Sequence, residues 1–126
     1  MWAASNNDRK TIEDVSVRIG LLTGLESQVM RDAHVASGLV VGEPFLSSSE
    51  AFDFKASGMT TRVSSYVSVF SEHRLTPPPD EIYSLHRKLA GAFLICIRLG
   101  ARIECRDLLE EVWNNYQWSS VPEGTQ

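Results

Sequence analysis

The chain has 126 residues, enough for one domain or part of one. Hydrophobic residues make up 43% and charged residues 22%, an ordinary globular balance that excludes a wholly disordered chain. A net charge of −4 argues against a general nucleic-acid binder, which would carry a basic surplus, but leaves room for a local basic patch.

The first predicted helix covers 8–22, with Ile12, Val15, Ile19 and Leu22 recurring at three- and four-residue spacing. Gly20 and Thr23-Gly24 interrupt it. Thr23-Gly24-Leu25-Glu26 reads as a capping box, in which each side chain satisfies a backbone N–H at a helix start. A second helix is therefore expected over 25–41, with Leu25, Val29, Met30, Ala33, Ala36, Leu39 and Val40 as a broad apolar face and Gly42 as its stop. Residues 43–59 form a connector containing Phe45, Phe52 and Phe54, aromatics that must find a dry seat and so should pin it. The third helix spans 60–74, capped by Thr60 or Thr61, with Val63, Tyr66, Val67 and Phe70 inward.

Pro77-Pro78-Pro79 then stiffens the link, with Pro79 suited to the first position of the next helix and Asp80 and Glu81 favouring its positive end. That fourth helix, 79–99, carries Ile82, Leu85, Leu89, Phe93 and Cys96 on one stripe. Ala92, Ile95 and Ile97 widen the stripe until the helix is apolar nearly all round, the pattern of a helix buried on several sides. Gly91, costing about 1 kcal/mol against alanine in a helix interior, suggests the close approach of another backbone. The fifth helix, 105–117, has Leu108, Leu109, Val112, Trp113 and Tyr116 as its inner face, and is expected to pack on the fourth; 118–126 reads as a tail. No strand pattern or internal repeat is visible, so the fold class is all-α with about five helices.

The longest apolar run, Leu89–Ile97, is too short to span a membrane and ends at Arg98. The N-terminus has neither a secretory h-region nor the repeated arginines of a mitochondrial leader, so any organelle address is expected to lie outside this chain or to be absent. Cys96 and Cys105 are too few for a disulfide framework and read as two buried thiols in a reducing compartment, treated as small hydrophobes.

Candidate chemistry is sparse. Asp53-Phe54 invites comparison with a kinase metal-binding motif, but Lys55 stands where glycine should be and no catalytic loop precedes it. His34, His73 and His86 have no partner at metal-ligand spacing, no serine sits in a nucleophile elbow, and there is no phosphate-binding glycine loop. Catalytic, cofactor-binding and metal residues are therefore expected to be none. His86-Arg87-Lys88 is the remaining candidate: a solvated collar whose stems cover apolar surface, or a contact to a partner, to an acidic group elsewhere in a larger protein, or to a membrane headgroup. Arg98, Arg102 and Arg106 could add a second basic patch.

Together these segments resemble the C-terminal region of the AarF/UbiB-type atypical kinases, in the mitochondrial branch linked to coenzyme Q (ubiquinone) biosynthesis. The matching residues are Leu22-Thr23-Gly24, Val29-Met30, Asp32-Ala33-His34, Gly42-Glu43, Phe52-Asp53-Phe54 and His73-Arg74-Leu75. They continue through Pro77-Pro78-Pro79, Tyr83 to Lys88, Gly91, Phe93 to Cys96, Leu99, Ala101-Arg102, Cys105, Glu110-Glu111 and Asn115-Tyr116. The resemblance implies a kinase-like C-lobe ending in helices like these, a mitochondrial location, and ATP and Mg as cofactors of the full-length family. The family's Lys-x-Gly-Gln extension, alanine-rich nucleotide loop, lysine–glutamate pair and metal ligands have no matching positions in this sequence. The chain alone is expected to be inactive, a single partial domain whose partners are the rest of the kinase domain and coenzyme Q biosynthesis proteins, with no nucleic acid. The alternative is a free-standing helical protein-interaction module.

Overall fold

The computed structural model describes residues 1–47 and 50–118. It is largely helical: α1 (Trp2–Ser5), α2 (Arg9–Arg18), α3 (Gln28–Gly42), a 3₁₀ turn at Glu43–Phe45, β1 (Phe52–Asp53), α4 (Met59–Ser64), α5 (Val67–His73), α6 (Asp80–Leu99), β2 (Arg102–Ile103) and α7 (Arg106–Asn115). None of these helices is long and apolar enough to cross a membrane.

The hub is α3, which packs against α1, α2, α4 and α5. Met30, Ala33, Val35 and Val40 are buried along it, with Met30 fully so. Gly42 lets α1 cross closely, since a Cβ there would sit 2.6 Å from the Ala4 Cβ and 2.8 Å from the Ala4 carbonyl carbon. Asp8 caps α2 through the Thr11 N–H, and α2 is tied to α3 by His34 Nε2 to Ser16 Oγ at 2.8 Å.

The expected start of α3 is corrected. Glu26 does accept from the Thr23 N–H at 2.6 Å, as a capping box requires, but also from the Thr23 hydroxyl and the Gly24 N–H, so it closes a loop instead of opening the helix. Ser27 is the N-cap, accepting from the Met30 N–H, and Leu25 is left 85% exposed. The expected third helix is two, interrupted at Ser65–Tyr66. Ser64 and Ser65 turn their hydroxyls back onto the Thr60 and Arg62 carbonyls, a local bond that competes with the helical ladder. Neither Thr60 nor Thr61 caps α4; Gly58, left-handed at φ 65°, holds that position.

Two elements left no sequence signal. Strands β1 and β2 pair antiparallel, Phe52 with Ile103 and Asp53 with Arg102, and two residues are too few to show a period of two. Helix α1 is only four residues long and is held by tertiary contacts. Trp2 stacks on Trp113 of α7 at 4.4 Å, and Arg106 lies over the Trp2 ring while donating to the Ser5 and Phe45 carbonyls and to Asn6 Oδ1.

The connector is pinned by its aromatics. Phe54 is 2% exposed in a cluster with Val40, Met59 and Cys105, and its ring lies 5.8 Å from that of Phe93 in α6. Phe45 reaches the same Phe93, and Phe52 stands edge-on to Phe54. Asp53 spends its carboxylate on the Ala56 N–H and lies 3.9 Å from Arg102, so this dipeptide makes a turn and a core contact.

The fourth and fifth predicted helices differ most from expectation in their surroundings. α6 ends in a Schellman motif, with Ala101 N–H donating to Cys96 O and Gly100 N–H to Ile97 O around left-handed Gly100. Its start is shifted by one residue, Pro79 serving as the cap. Yet none of its residues is buried, and a Cβ at Gly91 would meet nothing within 4 Å. Nor does α7 form a packed pair with it: α7 lies mainly on α1 and the 3₁₀ turn through Arg106, Leu109 and Trp113, leaving Leu108, Val112 and Tyr116 exposed. Val15 and Ile19 are also exposed, while Ile12 and Ser16 are the side chains of this segment that face α3. Trp118 folds back onto Trp113 and Tyr116 instead of beginning the tail; 119–126 lies outside the described residues.

Gly42→Ala should force α1 away from α3 and cost about 1–3 kcal/mol through overpacking. Urea unfolding followed by tryptophan fluorescence checks this, because separating Trp2 from Trp113 alters the signal; an unchanged midpoint would contradict the close crossing.

Candidate interaction surface

The His86-Arg87-Lys88 segment lies in the first half of α6, and all three residues are exposed. With about 3.6 residues per turn, they do not share a face. Ile82, Leu89, Phe93 and Cys96 form the half-buried side turned to the core, and His86 lies beside them. Arg87 and Lys88 fall on the opposite side with Ser84, where the three line a shallow open depression of about 370 Å³. The Arg87 guanidinium lies 5.8 Å from the Tyr83 ring centre.

Further along that outer side the character changes. Gly91, Leu94, Ile95 and Leu99 follow, with Ile95 60% and Leu99 77% exposed. The outward face of α6 is thus basic in its first half and largely apolar in its second, where exposed Arg98, two turns on from Gly91, is the exception. The expected second basic patch does not form as a unit. Arg106 is drawn inside by Glu110, Ser5 and Phe45, while Arg102 faces Asp53.

The charges of Arg74, His86 and Glu26 act on His34, and that of Arg74 acts on His86. Burial, followed by the charge of Arg74, holds the His34 imidazole below its usual value, with His86 adding to this and Glu26 opposing it. His86 is lowered by the same two causes, desolvation first and Arg74 second. Burial pushes the Glu26 carboxyl up, but its hydrogen bonds from Thr23 and Gly24 together outweigh this and hold it below the usual carboxylate range. Burial also raises the Cys105 thiol, which makes it a poor nucleophile. Among the described residues, no three His, Cys, Asp or Glu side chains converge as metal ligands would.

The sequence reading missed Glu26 as a buried carboxylate and Arg106 as a clasp. The Thr-x-x-Glu spacing did signal the first, though it was assigned to the wrong structure. The second had only the i, i+4 pairing of Arg106 with Glu110 to betray it.

No protein-family model matches the chain. Individual proteins do. The zebrafish (Danio rerio) mitochondrial atypical kinase COQ8B is 49% identical over 115 residues, 91% of this chain and 18% of that protein. The mitochondrial atypical kinase COQ8 of Saccharomyces cerevisiae is 47% identical over 111 residues, 87% of this chain and 22% of the relative. This chain belongs to the COQ8/UbiB atypical kinases. The Caenorhabditis elegans coq-8 kinase adds 45% identity over 114 residues, 90% of this chain and 15% of its own length. The chain therefore spans about a fifth of the curated COQ8-type relatives it matches. Their names are those of mitochondrial proteins, and family kinship gives this chain the same location.

The Glu26 loop makes a pH dependence. Its carboxyl has a lower pKa folded than unfolded, so the stability it contributes is present above the unfolded value of about 4.3 and is lost as pH falls through the folded one. Glu26→Gln should flatten the acid limb of a stability–pH curve below about pH 4.3; an acid limb unchanged by the substitution would contradict the assignment.

Proposed function

We infer that this chain is the C-terminal helical subdomain of a COQ8-type atypical kinase, and that it packs against the rest of the kinase domain without carrying the chemistry. The observation that carries this reading is α6, which has no buried residue and leaves Leu85, Leu94, Ile95 and Leu99 in water. A fully buried leucine or isoleucine side chain stabilises by about 1.5–3 kcal/mol, and Leu85, Leu94, Ile95 and Leu99 leave most of that unrealised in this chain. The span of about a fifth of each relative supplies a source for the missing surface.

ATP and Mg belong to the full-length family's activity. Asp53, the nearest candidate by motif, does not fit such a group, because its carboxylate already accepts from the Ala56 N–H and lies 3.9 Å from Arg102. Phosphoryl transfer depends on phosphates and metal ions positioned between lobes, so no step of it is assigned to this chain. The role in coenzyme Q biosynthesis that the family resemblance implies, and any contact with other proteins of that process, belong to the complete kinase.

Calorimetric titration of the purified chain with ATP and magnesium should give no saturable heat, with a full-length COQ8-type relative as positive control. Saturable stoichiometric binding would overturn the reading. A sharply melting monomer that binds no apolar dye would favour the free-standing interaction module instead.

A further inference from the structure

The outward face of α6 combines three features that a solvent-facing helix has no physical reason to hold together. Gly91 lies at its centre, where a helix interior pays for the missing side chain unless another backbone comes close, and nothing lies within 4 Å of its Cβ position. Leu94, Ile95 and Leu99 follow on the same side, each about half exposed or more, with exposed Arg98 among them. Ser84, Arg87 and Lys88 precede it around an open depression. Small residues allow two helices to approach, and flanking large apolar residues supply the ridges that interlock.

We propose that this face is a helix–helix interface within the complete kinase polypeptide. A helix from the remainder of the same protein crosses α6 at Gly91, buries Leu94, Ile95 and Leu99, and sets acidic side chains against Arg87 and Lys88. The proposal rests on the reading of the chain as a subdomain, and deepens it by naming the surface and the kind of segment that covers it. The occupant is intramolecular because about four-fifths of each COQ8-type relative lies outside the matched region. The charge pattern sets its character: acidic side chains against Arg87 and Lys88, an apolar stretch against Leu94, Ile95 and Leu99, and a further acidic or polar group for Arg98. His86 takes no part, since it lies on the inner side near Arg74 and His34.

The test uses the Saccharomyces cerevisiae relative with its 111 matched residues deleted as the probe, co-expressed with this chain and captured by a tag on the probe. The wild-type chain is expected to be retained. Gly91→Leu should reduce retention at least tenfold, and Arg87→Glu with Lys88→Glu several-fold, whereas Leu108→Ser on α7 should leave it unchanged. Because Gly91 faces open space, Gly91→Leu should leave the isolated chain's circular dichroism and melting intact or improved, so lost retention cannot be put down to misfolding. Retention of wild-type and Gly91→Leu chains alike would overturn the proposal and leave the subdomain reading standing. No retention of the wild-type chain would overturn both. Sedimentation showing a dimer of this chain that Gly91→Leu dissociates would also overturn it, by giving the face to a second copy.

Discussion

The structure depends on one packing centre, the Phe54 ring. Val40 brings α3 to it, Met59 the start of α4, Cys105 the approach to α7, and Phe93 the second half of α6. A connector with little regular structure is thereby fixed, and its two-residue strand pairs with the segment after α6. Without that ring, α6 would have little to hold it, because its first half meets the body of the protein only at its inner edge. Glu43 to Arg62, at 2.7 Å, ties the same region together from outside, though a half-exposed ion pair adds only modestly to what the aromatic cluster provides.

The division between the two ends of the molecule follows from this arrangement. Helix α3 is enclosed by four neighbours and carries the deepest burial, while α6 and α7 keep large apolar side chains in water. Burial of apolar area drives folding, so a helix that carries large apolar side chains beyond its core-facing side calls for neighbours there. Such neighbours are absent among the described residues, and about four-fifths of each matched relative lies beyond the matched stretch. Kinship and exposure are thus the grounds for the subdomain reading proposed above.

Much of this was legible in the sequence where local signals agreed with one another. Asp80 and Glu81 at the start, a long apolar period and Gly100 at the end together defined α6 to within a residue. The seating of Phe45, Phe52 and Phe54 followed from their hydrophobicity alone. What was not legible depended on contacts distant in the chain. The α1 turn exists because Trp2 meets Trp113 and Arg106, about a hundred residues away. The break at Ser65 reflects hydroxyls choosing nearby carbonyls, and the Glu26 loop reuses capping chemistry for a turn. For the candidate surface, the motif His86-Arg87-Lys88 could be read directly. Its division into one inner and two outer residues needed only the helical period, but the empty space at Gly91 needed coordinates.

The most direct test of a helix built to be covered is amide hydrogen exchange across α6, compared between this chain and a full-length COQ8-type kinase containing it. The account predicts that α6 amides exchange fast in the isolated chain while α3 stays protected, and that α6 slows by at least a hundredfold in the complete protein. Equal protection of α6 in both would contradict it.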